Sequence, residues 1–222
     1  VADTINLTNA QSGTTIDGQA ATDILNLQFS GNTVSTANIE TVNGSAGDDI
    51  ITTIIAGTGG GIESLDGGDG NDTLTLADGV NTVTVTNTET INGGTGGDVV
   101  TSTTNFTSTD TVDLGAGTDV LNLATGNDTL FVKDAETIAD IGGTDTITLA
   151  DGGQITTVSG IETIIGGTGN DAVTAGTVFT TGDSVDLKAG DGDTLNLLSG
   201  TNTLSVTNVE TVNGDASGGP QI

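Results

Sequence analysis

Short segments in which apolar and hydroxyl side chains alternate recur along the whole chain. From residue 62 to residue 89 three such segments follow one another, at 62–65, 73–76 and 81–86. Alternation with a period of two is typical of half-buried β-strands, and the Gly, Asp and Asn residues between the segments are typical of tight turns. Because Gly, Thr and Asn also disfavour helices, the pattern predicts an all-β chain.

The segments belong to a repeat marked by a short phrase, in which a hydroxyl residue is followed by a β-branched residue or Leu, then Asp or Asn, then Gly. Complete and degraded copies begin 21 to 27 residues apart, at Thr15, Thr41, Ser64, Thr90, Thr111, Thr137, Thr163, Ser184 and Thr211. One such unit cannot bury its apolar face alone, whereas stacked units share a continuous core.

We therefore predict a parallel β-solenoid, a β-roll or β-helix, with about nine coils of 21–27 residues. Each coil is expected to contain three short strands. The solenoid is predicted to be continuous over residues 1–219, and residues 220–222 to form a tail or lead into a larger protein.

The composition excludes several classes of function. The chain has 222 residues, a net charge of −28, two Lys and no Cys or His. Without thiols or imidazoles it lacks soft metal sites and the usual nucleophile–base pairs, and two lysines cannot neutralise a nucleic-acid backbone. No apolar run reaches the roughly 20 residues of a membrane span. We predict a protein that is not an enzyme, binds no nucleic acid and does not span a membrane.

An Asp closes the glycine-rich turn of most repeats. These residues are Asp23, Asp49, Asp72, Asp98, Asp119, Asp145, Asp171 and Asp193. If the coils stack in register, the eight carboxylates form one row with a spacing of about 5 Å. Such a row of like charges requires a cation, and ligands that are all oxygen favour calcium.

The turn that begins at Gly67 resembles a known motif. Its sequence Gly67-Gly68-Asp69-Gly70-Asn71-Asp72-Thr73-Leu74-Thr75 is similar to the RTX nonapeptide, and the turns at Gly93 and Gly166 are close variants. The turn at Gly44 keeps two of the three glycines. The chain therefore resembles RTX-type calcium-binding repeat proteins.

The resemblance implies calcium ions between successive coils, held by the motif Asp side chains and by turn carbonyls. It carries over best to Asp49, Asp72, Asp98 and Asp171, with the carbonyls of Gly67, Asp69, Gly93, Thr95, Gly166 and Thr168. The nonapeptide occurs once per repeat instead of in tandem, which predicts a single row of ions. Asp23, Asp119, Asp145 and Asp193 follow turns that lack motif glycines. For these four turns three alternatives remain: the calcium site is empty, it is altered, or water fills it.

Three other sets of residues have structural interpretations. A second acidic column is interpreted as a solvated outer face: Glu40, Glu63, Glu89, Asp110, Glu136, Glu162, Asp183 and Glu210. A column of Asp and Asn residues in the phrase predicts a hydrogen-bonded ladder along the axis: Asp17, Asn43, Asp66, Asn92, Asp113, Asp186 and Asn213. The four Phe residues are interpreted as core or edge packing.

These observations favour a structural or adhesive module that folds when calcium binds. The resemblance implies a bacterial cell-surface or extracellular location reached by type I secretion, as an S-layer region, an adhesin stalk or a filament-forming protein. Open strand edges predict self-association into a lattice or filament. A solenoid that binds ice or polysaccharide is an alternative, since Thr82, Thr84, Thr86, Thr88 and Thr90 alternate. A β-helical enzyme, or the repeat tail of a larger secreted enzyme, is another.

Overall fold

A computed structural model describes residues 1–56 and 61–214. Within these ranges it consists of short β-strands joined by turns and contains no helix. Within each of its two units every paired strand is parallel to its neighbour, and strands pair with the strand two further along the chain. The chain therefore alternates between two sheets, one of odd-numbered and one of even-numbered strands.

The contacts of the chain group into two compact units, the first formed by Val1–Thr104 and Thr111–Val120. Its odd strands are β1 (Thr4–Leu7), β3 (Ile24–Leu27), β5 (Thr41–Ala46), β7 (Ser64–Asp69), β9 (Thr82–Thr86) and β11 (Val99–Ser102). Its even strands are β2 (Ser12–Asp17), β4 (Thr33–Ala37), β6 (Ile50–Thr53), β8 (Thr73–Thr75), β10 (Thr90–Thr95) and β12 (Thr111–Ala116).

The core of the first unit is built from apolar residues stacked in register. Leu25, Val42 and Leu65 follow one another across the odd sheet and are fully buried. The even sheet contributes the equally buried row of Ile51, Leu74, Ile91 and Val112. Alternation along these strands therefore directs most of their apolar residues inward and most of their hydroxyl residues outward, with exceptions such as the buried Thr36 and the exposed Ile50.

The second unit comprises Asn105–Asp110 and Leu121–Ile222. Its odd strands are β13 (Val120–Asn122, starting at the unit boundary), β15 (Thr137–Ala139), β17 (Ile155–Ser159), β19 (Ala172–Ala175), β21 (Thr194–Asn196) and β23 (Thr211–Asn213). Its even strands are β14 (Thr129–Lys133), β16 (Thr146–Leu149), β18 (Thr163–Ile165), β20 (Asp183–Asp186) and β22 (Leu204–Thr207). Leu130, Ile147, Ile164 and Val185 form its buried row in the even sheet.

The predicted fold class, an all-β parallel solenoid, is confirmed, but the coil is shorter than the repeat. Paired residues lie 17 to 23 positions apart, as in Ile24 with Thr41 and Thr41 with Ser64. Each coil contains two strands instead of three, because β9 pairs with β7 through Ser64 and Thr84. The third alternating segment of each repeat thus starts the next coil.

The 26-residue step of the phrase therefore covers about one and a half coils. It combines a 17-residue coil, such as that from Asp23 to Glu40, with a half coil of nine residues, such as that from Glu40 to Asp49. A step of 26 consequently moves the phrase from one sheet to the other, as from Thr15 in β2 to Thr41 in β5. Steps of 21 or 23 keep it on the same sheet.

The prediction of one continuous solenoid over residues 1–219 stays a prediction. The predicted tail at 220–222 lies outside the described residues. No helix in the described ranges has the length and apolarity needed to cross a membrane.

Candidate functional site

The eight predicted calcium ligands stand directly before strands, and within each unit they divide between its two edges. Asp49, Asp72 and Asp145 precede even strands, where the chain leaves the odd sheet. Those that precede odd strands, on the opposite edge, are Asp23, Asp98, Asp119, Asp171 and Asp193. The expectation of a single row is wrong, because the 26-residue step changes the edge. We call these two positions the odd–even edge and the even–odd edge.

Each of these carboxylates caps a strand of the preceding coil. All eight side chains are at most 1% exposed, and one oxygen of each accepts a main-chain N–H from about one coil earlier at 2.6–2.9 Å. For example, the N–H of Asp49 donates to Asp72 Oδ1 at 2.7 Å. The acids thus satisfy strand-start donors that neither sheet pairs.

The second acidic column supplies the same kind of cap. Glu carboxylates accept the N–H groups of the aspartates 17 residues earlier, at 2.7–2.9 Å, in the pairs Asp23–Glu40, Asp72–Glu89, Asp145–Glu162 and Asp193–Glu210. Glu40, Asp110 and Asp183 are buried. The interpretation of the whole column as a solvated outer face is therefore wrong. A common 17-residue spacing between Asp and Glu was the available sequence signal.

A three-residue corner positions these glutamates. Asn38, Asn87 and Asn208 begin such corners with positive φ angles of 50°, 45° and 51°, a left-handed conformation that Asn tolerates. Each amide donates to an Asp of the preceding coil. These acceptors are Asp17 at 2.8 Å, Asp66 at 3.1 Å and Asp186 at 2.7 Å.

Two members of the predicted Asp/Asn column form ladder hydrogen bonds, but with amides outside that column. Asn43 donates to Asn26 at 2.7 Å, and Asn213 donates to Asn196 at 2.9 Å. Asn92 instead reaches Thr75 Oγ1 at 3.4 Å. Of the Phe residues, Phe106 and Phe179 are buried, whereas Phe29 and Phe131 are exposed.

The first motif glycine makes room for the carboxylate five residues later. A Cβ on Gly67 would lie 2.6 Å from Asp72 Oδ2 and still closer to the carbonyl oxygen of Asn87. A Cβ on Gly18 or Gly166 would meet Asp23 or Asp171 in the same way, at 2.6 and 2.7 Å. The Gly-to-Asp spacing of the nonapeptide therefore reflects direct packing of the carboxylate on the glycine.

The second carboxylate oxygens differ between turns. Those of Asp49 and Asp171 accept the N–H groups of Ser45 at 3.0 Å and Gly167 at 3.2 Å. Several others are buried and have no hydrogen-bond partner: Oδ2 of Asp23, Asp72, Asp98, Asp128, Asp145 and Asp193. A buried acceptor without a partner is costly, especially on an ionised group. These atoms point to a bound cation or a bound proton.

Burial also shifts the ionisation of these acids. The pKa of Asp72 is raised to about 6, mainly by desolvation and also by the charges of Glu89, Asp49 and Asp48, against the lowering effect of the hydrogen bond from Asp49. Desolvation likewise raises the pKa of Asp145 to about 7, with contributions from three neighbouring carboxylates. It also raises the pKa values of Asp98, Asp128 and Asp171.

The predicted carbonyl ligands have roles in the turns. The carbonyls of Asp69, Thr95 and Thr168 accept the N–H groups of Gly47, Gly79 and Gly152. The Gly67 carbonyl packs on Gly44, and Gly93 and Gly166 lie against carbonyls of Leu114 and Leu187. Since a carbonyl oxygen has two lone pairs, an accepted hydrogen bond still allows it to bind an ion.

A calcium ion fits some turns better than others. In the described ranges no three acidic side chains are grouped so as to hold a metal, so an ion would need carbonyl ligands as well. Asp72 and Asp98 combine an unpartnered buried oxygen with an intact glycine turn and fit best. At Asp49 and Asp171 both carboxylate oxygens already accept N–H groups.

The outward face of the even sheet in the first unit does not form a regular Thr array. In the even sheet of the first unit, one column reads Thr33, Ile50, Thr73, Thr90 and Thr111. The neighbouring column changes from Thr52 and Thr75 to Asn92 and Asp113. Of the alternating residues, Thr82, Thr84 and Thr86 lie in β9, whereas Thr88 is buried between strands and Thr90 begins β10 in the other sheet.

A cavity of about 420 Å³ lies at the first coil, lined by Val1, Asp3, Ile5, Asp17, Gly18, Gln19 and Ala20. Polar atoms predominate in the lining of this cavity. Its lining combines two carboxylates with small and apolar residues, which gives no nucleophile activated by a base.

No protein-family model, curated protein or solved structure matches the chain. The resemblance to RTX repeats therefore depends on the nonapeptide turns alone.

Proposed function

We propose that this chain is a structural module whose buried carboxylates make its folding responsive to calcium, and that it is not an enzyme. The observation that carries the proposal is the set of fully buried aspartates that cap strands on both edges while leaving second oxygens without partners. Repetition of this arrangement in coil after coil is what a scaffold requires. A catalytic site, in contrast, needs one tuned constellation.

Asp72 and Asp98 are the residues that would hold calcium, with carbonyls of Gly67, Asp69, Gly93 and Thr95. Bound calcium supplies positive charge to carboxylates that burial has separated from water. The protein's own contribution is to position each acid with a main-chain N–H on one oxygen, from Asp49 to Asp72 and from Asn81 to Asp98. At Asp72 a glycine, Gly67, lies beneath the other oxygen. Because the unfolded chain lacks such a site, the binding energy adds to folding stability.

The same properties favour a role outside the cell. Calcium at millimolar concentration, which extracellular modules of weak affinity require, would convert a self-repelling polyanion with a net charge of −28 into a rigid module. An S-layer region, an adhesin stalk or a filament-forming protein of a bacterial cell surface, secreted by a type I route, suits these requirements. Self-association into a lattice or filament, and contact with surface polysaccharide, belong to the same proposal.

A circular-dichroism titration tests this proposal. The chain is titrated from EGTA into millimolar calcium, with magnesium as the control ion, while light scattering follows assembly. We expect a cooperative gain of β signal that is specific to calcium, and a rise in scattering if the module assembles. Complete β structure in EGTA that calcium leaves unchanged would contradict the calcium role.

A matched pair of variants locates the effect. Asp72→Asn removes a buried carboxylate, whereas Asp69→Asn removes an exposed one from the same turn and keeps its carbonyl. We expect the first variant to raise the calcium concentration at the midpoint several-fold and the second to change it little. Equal effects would indicate general charge neutralisation instead of a defined site.

A further inference from the structure

The turn between β15 and β16 departs from the nonapeptide in an unusual way. Asp140 stands five residues before Asp145, the position that Gly67 and Gly166 hold relative to Asp72 and Asp171. The main chain of Asp140 also occupies the equivalent place. Its N–H donates to the Ser159 carbonyl at 2.9 Å, and the N–H of Gly166 donates in the same way to the Asp186 carbonyl at 2.7 Å. A carboxylate thus replaces the glycine on which the closing Asp packs.

The oxygens of the two acids are only partly satisfied. Asp140 is 7% exposed and Asp145 is fully buried. Asp140 Oδ2 accepts the N–H of Gly142, and Asp145 Oδ1 accepts the N–H of Asp128 at 2.8 Å. Asp140 Oδ1 and Asp145 Oδ2 are buried without a partner. One turn therefore contains two carboxylates that each have an unused acceptor.

The surrounding charges increase the need for a cation. Besides burial, the charge of Asp140 raises the pKa values of Asp128 and Asp145, so these carboxylates lie within electrostatic reach of one another. Asp128 Oδ2 is buried without a partner as well. The chain's two lysines pair with other acids, Lys133 with Asp134 at 3.0 Å and Lys188 with Asp186 at 2.7 Å.

We propose that the turn 140–145 is a calcium site of a second type, in which Asp140 and Asp145 both bind the ion and main-chain carbonyls of the turn complete its ligands. The proposal rests on calcium binding by the module and adds a ligand, Asp140, that the nonapeptide lacks. Two carboxylates give this turn more charge than a nonapeptide turn with one, and calcium affinity rises with the number of charged ligands. The turn should therefore bind calcium more tightly than the turns at Asp72 and Asp98.

Isothermal titration of calcium into the whole chain, with variants at this turn, tests the proposal. Asp140→Gly restores the residue found in the intact turns and is therefore expected to fold, and Asp140→Asn keeps the shape while removing the charge. Both should lose the tightest class of site, with one ion fewer bound per chain. The control Asp151→Asn removes an exposed turn carboxylate of the same unit and should leave that class unchanged.

The outcomes separate this inference from the general one. If Asp140→Gly binds calcium with the same stoichiometry and affinity as the wild type, the second type of site is overturned. The calcium-responsive module then still stands, provided that Asp72→Asn weakens calcium binding. Absence of calcium binding in the wild type would overturn both. Loss in Asp140→Gly but not in Asp140→Asn would also contradict the inference, since a neutral side chain would then suffice.

Discussion

At the scale of single residues, the repeated pairing of glycine with aspartate has a packing explanation. The carboxylate of Asp72 packs on Gly67, accepts the N–H of Asp49 and is sealed from solvent. The same arrangement recurs with Gly18 and Gly166. The glycine has a steric role and the closing aspartate a hydrogen-bonding role whether or not an ion is bound.

We expect Gly67→Ala to destabilise the protein by about 1–3 kcal/mol, because the new methyl group overpacks against the Asp72 carboxylate and the Asn87 carbonyl. The midpoint of urea unfolding in EGTA measures this loss. Gly142→Ala is the control, since a Cβ there meets no atom within 4 Å. That control should be neutral or stabilise by up to about 1 kcal/mol. Equal stability of the two variants would contradict the packing explanation.

At the scale of strands and turns, the edges of the solenoid are networks of acids that cap main-chain donors. Every aspartate predicted as a ligand accepts an N–H from an earlier coil, and four glutamates continue the networks. The caps fix the register between coils because each one joins equivalent positions. They also place many carboxylates in an environment that disfavours ionisation.

We expect the metal-free protein to lose stability as the pH rises. Burial raises the pKa of Asp72 from 3.8 to about 6 and that of Asp145 from 3.8 to about 7. Between pH 3.8 and these raised pKa values, the folded state binds more protons than the unfolded state. The resulting stability is complete below about pH 4 and is lost as the pH rises through 6 and 7. Urea midpoints at successive pH values in chelator-treated buffer measure it.

Exposed acids oppose this trend only at low pH. Hydrogen bonds lower the pKa values of Asp17, Asp151 and Asp186. The stability that these three acids contribute is present above pH 3.8 and is lost as the pH falls further.

Asp145→Asn should flatten the decline of stability with rising pH near pH 7. Stability that rises steadily from pH 4 to 7 in the metal-free protein would contradict this explanation.

At the scale of the molecule, charge and hydrophobic burial oppose each other. Apolar rows such as Leu25–Val42–Leu65 are fully buried in each unit, while a net charge of −28 disfavours any compact state. We therefore expect ions to stabilise the folded state of so highly charged a chain. Calcium would act at defined turns, and monovalent salt would act by screening.

We expect the unfolding temperature of the metal-free protein to rise with NaCl, because about 1 M salt shortens the Debye length to about 3 Å from about 30 Å at 0.01 M. Differential scanning calorimetry measures the shift. Sucrose is the control, since it stabilises through exclusion without screening charge. A rise no larger in NaCl than in sucrose would contradict a main role for charge repulsion.

The sequence by itself determined the fold class, because short alternating segments recur in a repeat of 21–27 residues, and units of that length bury their apolar faces by stacking. It also identified Asp72, Asp98 and the other closing aspartates as special positions, because their spacing matches the strand repeat. It did not reveal the coil, since a 17-residue coil followed by a half coil of nine reads as one 26-residue repeat.

Only the tertiary structure decided on which edge each acid lies, because one half coil moves a residue to the opposite side of the solenoid. It likewise showed that Glu40 and Glu89 cap main-chain donors, and that Asp140 enters the place of a motif glycine. These relationships join residues about one coil apart in sequence, and stacking alone brings them into contact.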